Sequence, residues 1–562
     1  MNRIRGDNMT KEITVTYEGK EPLKFPKGTC LYEISKSYQK YFNYPILAAK
    51  VDNDVIGLNE VMSKSCDIHF YDRSSYHGNS TYGRTLQFIL IVAVAELFKN
   101  KAEVIIEHSI DKGFYCEIYG IDIDQPQVQE LEDYMRQLVE KDITISKLSV
   151  SRLEAMRYFK AKKQMDKARV LKYTSNTYIS MHQLNHVYDY FYGDLAYSTG
   201  VINDFKLTYI KDNGFVVSYP DVYNPECTLD YKHHSKLFNT FLDYTVWGRT
   251  VGVSNAADLN HIVSRGEYGD LIRLAEAYYN SQLSNISEKI YEAKNRIKII
   301  LIAGPSSSGK TTSSKKLEIY LQSRGIHTHR ISVDDYFKDR EETPLNDKGE
   351  PDFESLNAID ITLFNRDLTK LLAGEKVLLP EYNFILGKKE YNKRWLQMKE
   401  NDMIIIEGLH SLNDDLTPVI ERNAKFKIYL SPLTQLNVDR HNRIHTSDMR
   451  KLRRIVRDNK FRGYAAADTL KMWKNIRSGE ELYIFPFQDH NDAIINSALL
   501  YEIGVLKTYA EPLLYSVSAT DPNYPEALRL INLLRNFLTI PSEEVPADSI
   551  LREFIGGSCF KE

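Results

Sequence analysis

Residues 298–312 read KIILIAGPSSSGKTT, and the rest of the chain is best understood outward from them. A short apolar run ends at Ala303. Gly304, four further residues, Gly309, Lys310 and Thr311 follow, which is the G-x-x-x-x-G-K-[ST] spacing of a phosphate-binding loop. Gly304 and Gly309 permit backbone angles that a side chain forbids. The backbone N–H groups from Ser306 through Ser307, Ser308, Gly309, Lys310, Thr311 and Thr312 can then converge on phosphate oxygens, at the positive end of the helix that follows. Lys310 reaches the outer phosphates, and the Thr311 hydroxyl suits Mg²⁺. The context is the required one, with an apolar strand before the loop and a helical pattern over 312–324 after it. The expected cofactors are ATP and Mg²⁺.

Downstream of 297, strand and helix patterns alternate, which predicts a parallel α/β sheet. HTHRISVDDYF, KVLLPEYNF, DMIIIEGLH, KFKIYLSP and HNDAIINSAL are the expected strands. Polar residues at the carboxyl ends of such strands face the ligand crevice, and Asp334, Tyr382 and Glu407 stand at these ends. Residues 448–463 are strongly basic, with Arg450, Lys451, Arg453, Arg454, Arg457, Lys460 and Arg462. Such a run reads as a solvated helix face, a nucleic-acid patch or a phosphate-closing segment.

Upstream, 11–72 alternates apolar and polar residues in short runs around one helix, and 73–225 mixes strands with a buried helix at 86–98, LQFILIVAVAELF. That helix is too short to span a bilayer and carries Gln87 and Glu96. Residues 226–296 read as a helical connector and 1–10 as a tail. A net charge of −3 exerts no global pull toward nucleic acid or membrane. The five cysteines form no C-x-x-C pair, so no disulfide framework or zinc site is suggested, and a cytoplasmic protein is expected. His182 and His186 in MHQLNHVY have the i, i+4 spacing of a metal-binding helix face, but no partner ligand is evident and they are read as structural. Oligomeric state is left open, a homo-oligomer included.

Two resemblances extend this reading. ITVTYEGKEPLKFPKGTCLYEIS and ILAAKVDNDVIGLNEVM resemble the TGS domain, a β-grasp module of threonyl-tRNA synthetases. VIIEHSIDKGFYCEIYG, SRLEAMRYFK and YFYGDLAYSTGVINDFKL resemble the second domain of those enzymes, which hydrolyses mischarged tRNA with a H-x-x-x-H pair and a later Cys and His. Here Thr81, Tyr82, Gly83, Arg84 and Thr85 stand at the first motif, and Phe191 and Leu195 at the later positions. Without thiolate or imidazole, no metal ligand or general base is available there. The resemblance leaves RNA or tRNA contact open for the N-terminal half, with a docking module as the plainer reading.

From 297 to about 510 the chain is similar to the uridine kinase/phosphoribulokinase family, through GPSSSGKTT, SVDDYF, FES, AID, LPEYNF, IIIEGLH, RRIVRDNKFRG and NDAIIN. The resemblance implies that Asp334 accepts a proton from a nucleoside 5′-hydroxyl, with Asp335 the competing carboxylate. It implies that Glu407 joins Thr311 in holding Mg²⁺. It assigns Glu354, Tyr382, Phe337 and Arg453 to the substrate, and makes 448–463 a mobile lid whose Arg457 and Arg462 contact phosphate. Two departures weaken "uridine": a base-reading His falls at Gly387, and a Tyr becomes Phe337. The expected function is ATP-dependent phosphorylation of a small-molecule hydroxyl. The rivals are an RNA-binding regulator using the loop as a nucleotide switch, and a sugar-phosphate kinase needing an extra cationic pocket.

Overall fold

The computed structural model describes residues 12–345, 349, 351–383, 386–392 and 394–560, so the expected 1–10 tail lies outside it. The first unit comprises β1 (Glu12–Tyr17), β2 (Leu23–Pro26), α1 (Leu31–Tyr38), β3 (Ala48–Val51), β4 (Asp54–Gly57) and β5 (Cys66–Tyr71). Its sheet runs β2-β1-β5-β3-β4, with β1 and β5 parallel at the centre. Ile13, Val15 and Tyr17 alternate inward and bury against Leu31, Ile34 and Tyr38 of α1, as a period of two demands.

The second unit holds α2 (Tyr76–Leu97), β6 (Glu103–Ile110), β7 (Gly113–Tyr119), α3 (Gln125–Glu140), β8 (Ser146–Ser151), α4 (Arg152–Ala161), α5 (Met165–Val170), β9 (Tyr178–Leu184), β10 (Val187–Asp189), β11 (Lys206–Lys211) and β12 (Gly214–Ser218). The expected buried helix is α2, whose first turn is capped by the Ser75 hydroxyl accepting the Gly78 N–H at 3.1 Å. Its apolar stretch packs with α3 on the antiparallel sheet β11-β12-β7-β6. The helical reading of MHQLNHVY is corrected. His182 lies in β9, Asn185 turns the chain at φ 51°, and Val187 pairs back to Leu184. The two histidines therefore share no helix face. Burial, with the charges of Lys147 and Arg84 adding to it, pushes the His182 imidazole down to about 4, and no group of three or more His, Cys, Asp or Glu among the described residues is placed to hold a metal.

Three helices follow: α6 (Ser235–Thr250), α7 (Ala256–Ser264) and α8 (Tyr268–Glu292). α8 does more than connect. Tyr279, Leu283, Ile286 and Ile290 are buried in one core with Ile300, Ile302 and Leu317, and the Tyr279 and Ser313 hydroxyls are hydrogen-bonded at 2.6 Å.

The last unit contains β13 (Ile299–Ala303), α9 (Lys310–Gln322), β14 (Thr328–Ser332), α10 (Ile361–Leu372), β15 (Val377–Leu378), β16 (Glu381–Asn383), β17 (Lys388–Glu390), β18 (Trp395–Leu396), β19 (Met403–Glu407), β20 (Lys425–Ser431), α11 (Thr446–Arg462), α12 (Ala466–Tyr483), β21 (Ala493–Asn496), α13 (Glu502–Tyr515), α14 (Tyr524–Leu534) and α15 (Arg552–Ile555). Its sheet, β14-β19-β13-β20-β21, is parallel throughout. Helices on both faces bury β13, β19 and β20 almost completely, which is why those strands read as unbroken apolar runs. KVLLPEYNF is a second correction. It does not enter this sheet: β15 pairs antiparallel with β18, and β16 with β17, around Pro380. A proline lacks the N–H that an interior strand must donate. Among the described residues, no helix is long and apolar enough to cross a membrane.

Candidate functional site

β13 lies between β19 and β20, so the strand order reverses at its carboxyl end. Ligands bind at such a switch point, and the phosphate-binding loop leaves β13 there. Gly304 is required because a Cβ would sit 1.9 Å from the Leu430 carbonyl oxygen, and Gly309 takes φ +90° to turn into α9. Ser307 also adopts a positive φ, 60°. The Ser307 and Ser308 hydroxyls are buried with no hydrogen-bond partner among the described residues, an arrangement that phosphate oxygens would satisfy. Lys310 Nζ donates to the Gly304 carbonyl at 2.9 Å, and the Thr311 hydroxyl donates to Glu407 Oε1 at 3.3 Å.

Asp334 sits exposed in the turn after β14, where it feels the opposite charges of Lys310 and Arg462 and the like charge of Asp335. Asp335 is committed elsewhere, to Arg394 at 2.7 Å and to the backbone of Tyr382. Glu354 reaches the same region because Gly479 leaves room for it: a Cβ on Gly479 would lie 2.8 Å from that of Glu354. Surrounding protein raises the Asp334 carboxyl above its ordinary range, Asp335 adding to the effect and Lys310 opposing it. Burial pushes Glu407 up to about 7, against Lys310 and with help from Asp334 and Glu553. Burial likewise pushes Glu354 up to about 7, with Glu480 and Asp334 adding to it. The loop, Asp334, Glu354 and Glu407 are thus brought together around one lysine.

Phe337 and Tyr382, on the turn after β14 and on β16, meet edge to face with ring centroids 5.5 Å apart. At Gly387 a Cβ would lie 2.8 Å from Arg340 Nε, so the Arg340 side chain lies directly against that position.

The basic segment divides in a way composition could not show. Arg453 is fully buried. Its guanidinium donates to Glu502 Oε2 at 2.8 Å, to the Ser497 carbonyl at 2.7 Å and to the Ser307 carbonyl at 3.3 Å. The expected substrate contact of Arg453 gives way to a brace behind the loop. Arg450 is buried against Glu480, which also accepts the Ser306 N–H at 3.1 Å. These pairs seat the first half of α11, since separating a buried ion pair strands charge in a medium of low polarity. Arg457 and Arg462 both turn to Asp458, at 3.1 and 3.5 Å, while Arg454 donates to the Ser306 hydroxyl at 2.6 Å. Arg340, Arg454, Glu480 and Glu553 were missed by the sequence reading; only Arg454, inside the basic run, carried any signal. Arg453→Ala is expected to destabilise the fold by about 3–5 kcal/mol by leaving Glu502 unpaired. The paired change Arg453→Met with Glu502→Leu should recover most of that loss in thermal unfolding. A loss under about 1 kcal/mol would contradict the brace.

A parallel sheet with this loop at its switch point defines a P-loop nucleotide-binding domain. Residues 299–502 match the model of the "Phosphoribulokinase / Uridine kinase family", so the C-terminal half carries a domain of that family. A uridine kinase of Staphylococcus epidermidis is 29% identical over 203 residues, covering 36% of this chain and 88% of that protein. The N-terminal half is similar to threonine–tRNA ligases. The ligase of Caldanaerobacter subterraneus subsp. tengcongensis is 25% identical over 205 residues, which are 36% of this chain and 31% of the ligase. Among solved structures, D-glycerate 3-kinase from Cryptococcus neoformans aligns with a TM-score of 0.21 and 17% identity, over 48% of this chain and 89% of that one.

Proposed function

We propose that the C-terminal half is an ATP- and Mg²⁺-dependent kinase acting on the hydroxyl of a small molecule, with a nucleoside 5′-hydroxyl as the first candidate. The observation that carries this reading is Asp334, an exposed carboxylate just past the carboxyl end of β14 and within electrostatic reach of the loop lysine. A nucleotide switch needs no such base. The loop N–H groups and Lys310 bind the phosphates and hold them in line with the acceptor. Asp334 takes the hydroxyl proton onto its carboxylate. Glu354 accepts hydrogen bonds from other acceptor hydroxyls, and the paired Phe337 and Tyr382 rings offer the acceptor an apolar surface. Arg454 and Arg462 lie on the cleft side of α11 and support charge on the transferring group.

The residues present also fit a magnesium ion. Thr311 and Glu407 offer two hard oxygens 3.3 Å apart, and Mg²⁺ is commonly held by one or two side chains plus substrate phosphates. Bound there, it would neutralise charge on the phosphate oxygens. Glu407 must be ionised to serve it, and a carboxyl raised to about 7 is protonated below that pH. Accordingly kcat/KM should fall as pH drops below about 7, and binding of MgATP should release protons, read by calorimetry in buffers of different ionisation enthalpy. A flat profile between pH 6 and 8, with no proton release, would remove Glu407 from the metal site.

Arg340 favours a second reading, in which the acceptor carries an anionic group, because its guanidinium lies at Gly387 beside Tyr382. ATP consumption with purified protein across nucleosides and sugar phosphates decides between the readings. Stimulation by neither class would sink both. The N-terminal half is read as a docking scaffold without hydrolytic chemistry, since threonines occupy its motif positions.

A further inference from the structure

Two carboxylates already sit on the phosphate-binding loop. Glu480 takes the Ser306 N–H, but Arg450 and Arg477 flank it, so it belongs to the brace behind the loop. Glu553 differs. Its Oε2 accepts both the Thr312 N–H, at 3.1 Å, and the Thr312 hydroxyl, at 2.7 Å. Thr312 stands in the first turn of α9, where the free N–H groups and the helix dipole attract anions. A carboxylate of this chain therefore occupies donors that a phosphate chain would use.

The contact is built in. Ile550, Leu551, Phe554 and Ile555 are each no more than 1% exposed and anchor the C-terminal segment in the core. The Ile550 Cδ1 methyl lies only 2.2 Å from where a Cβ on Gly309 would be. Lys316 of α9 holds Asp548 at 2.9 Å, and Lys460 of α11 donates to the Ile555 carbonyl. The segment is thus pinned between the loop helix and the basic helix, and it presents Glu553 to the loop from a turn whose apolar residues stay buried. Unlike Glu480, Glu553 forms no ion pair with a lysine or arginine among the described residues, so its charge is set against the loop's own donors.

Resting on the kinase reading above, we propose that Glu553 is an intramolecular occupant of the nucleotide site: it holds the Thr312 donors until a phosphate chain displaces it, and so sets how tightly nucleotide binds. One oxygen cannot be replaced by another of like charge at the same donors without the first withdrawing. Because Ile550, Leu551 and Phe554 anchor the backbone, the withdrawal is a rotation of the Glu553 side chain, with the segment left in place. A nucleotide bound to the wild type gains the Thr312 contacts only after losing those of Glu553.

The test is the dissociation constant for MgATP, measured by calorimetry on the full chain. Glu553→Gln and Glu553→Ala should bind MgATP about tenfold or more tightly than the wild type, because a charge-assisted pair of hydrogen bonds no longer competes. Glu553→Asp, which shortens the reach, should fall between. The direction separates this role from a structural one, since damage to the loop would weaken binding. If Glu553→Ala fails to fold, the near-isosteric Gln and Asp variants carry the test. Unchanged or weaker binding in folded Gln and Asp variants, with Lys310→Ala still lowering affinity, would overturn the role of Glu553 alone. Binding of MgATP by no form of the protein would overturn this role together with the kinase reading.

Discussion

Replacing Asp334 by Asn is expected to slow phosphoryl transfer by about a hundred- to ten-thousandfold, the usual worth of general acid–base help. Asn keeps the shape and the hydrogen bonding of Asp but accepts no proton at neutral pH. The variant should still bind MgATP through Gly304–Thr311 and should bind the acceptor almost normally. The loss should therefore fall on kcat, with KM little changed, because the interaction is realised in the transition state. Asp335→Asn supplies the control. The Asp335 carboxylate is held by Arg394 at 2.7 Å and by the Tyr382 backbone. Its loss should lower stability more than turnover. A result in which Asp335→Asn abolishes transfer and Asp334→Asn does not would retain the kinase but move its base by one residue. Equal and small effects from both would favour the nucleotide switch.

The parts of this site that were legible in the sequence are those where chemistry and local order coincide. G-x-x-x-x-G-K-T compresses the loop into eight residues, and the apolar runs IILIA and MIII mark the two central strands that end at Ala303 and Glu407. The rest depends on partners remote in sequence. Seven cations between 450 and 462 look alike in composition, yet Arg450 and Arg453 are buried because Glu480 and Glu502 lie 30 and 49 residues further on. Glu553 meets Thr312 across 241 residues, from a turn with no motif of its own. α8 was read as a connector because its apolar stripe shows that it packs, and a stripe does not name its neighbour. KVLLPEYNF misled through its apolar content, although Pro380 in its middle already argued against an interior strand. MHQLNHVY misled because i, i+4 spacing has meaning only inside a helix, and the turn at Asn185 puts the two histidines in a hairpin.

Lys310→Ala should cost at least about a hundredfold in phosphoryl transfer, by comparison with removal of one preorganised donor to a developing charge. The local geometry argues that the fold survives. Lys310 opens α9, where Ala is the most favourable helix residue, and among the described residues its Nζ hydrogen-bonds only to the loop carbonyls of Gly304 and Pro305, at 2.9 and 3.4 Å. The electrostatics argue that the site does not. Lys310 is the strongest charge opposing protonation of both Asp334 and Glu407, and it opposes that of Glu354 as well. Removing it takes away the cation that faces the transferring phosphate and leaves three carboxyl groups without their common counter-charge. Each should then hold its proton to higher pH, so the acid limb of the pH–rate profile should move to higher pH as the maximum falls. MgATP affinity should weaken too, because the loop N–H groups remain but the point charge is gone. The measurement is turnover against pH for the folded variant, with circular dichroism and thermal unfolding matching the wild type. Turnover close to the wild-type value, with the acid limb unmoved, would show that phosphate is bound elsewhere and that the loop at 304–312 is not the catalytic centre.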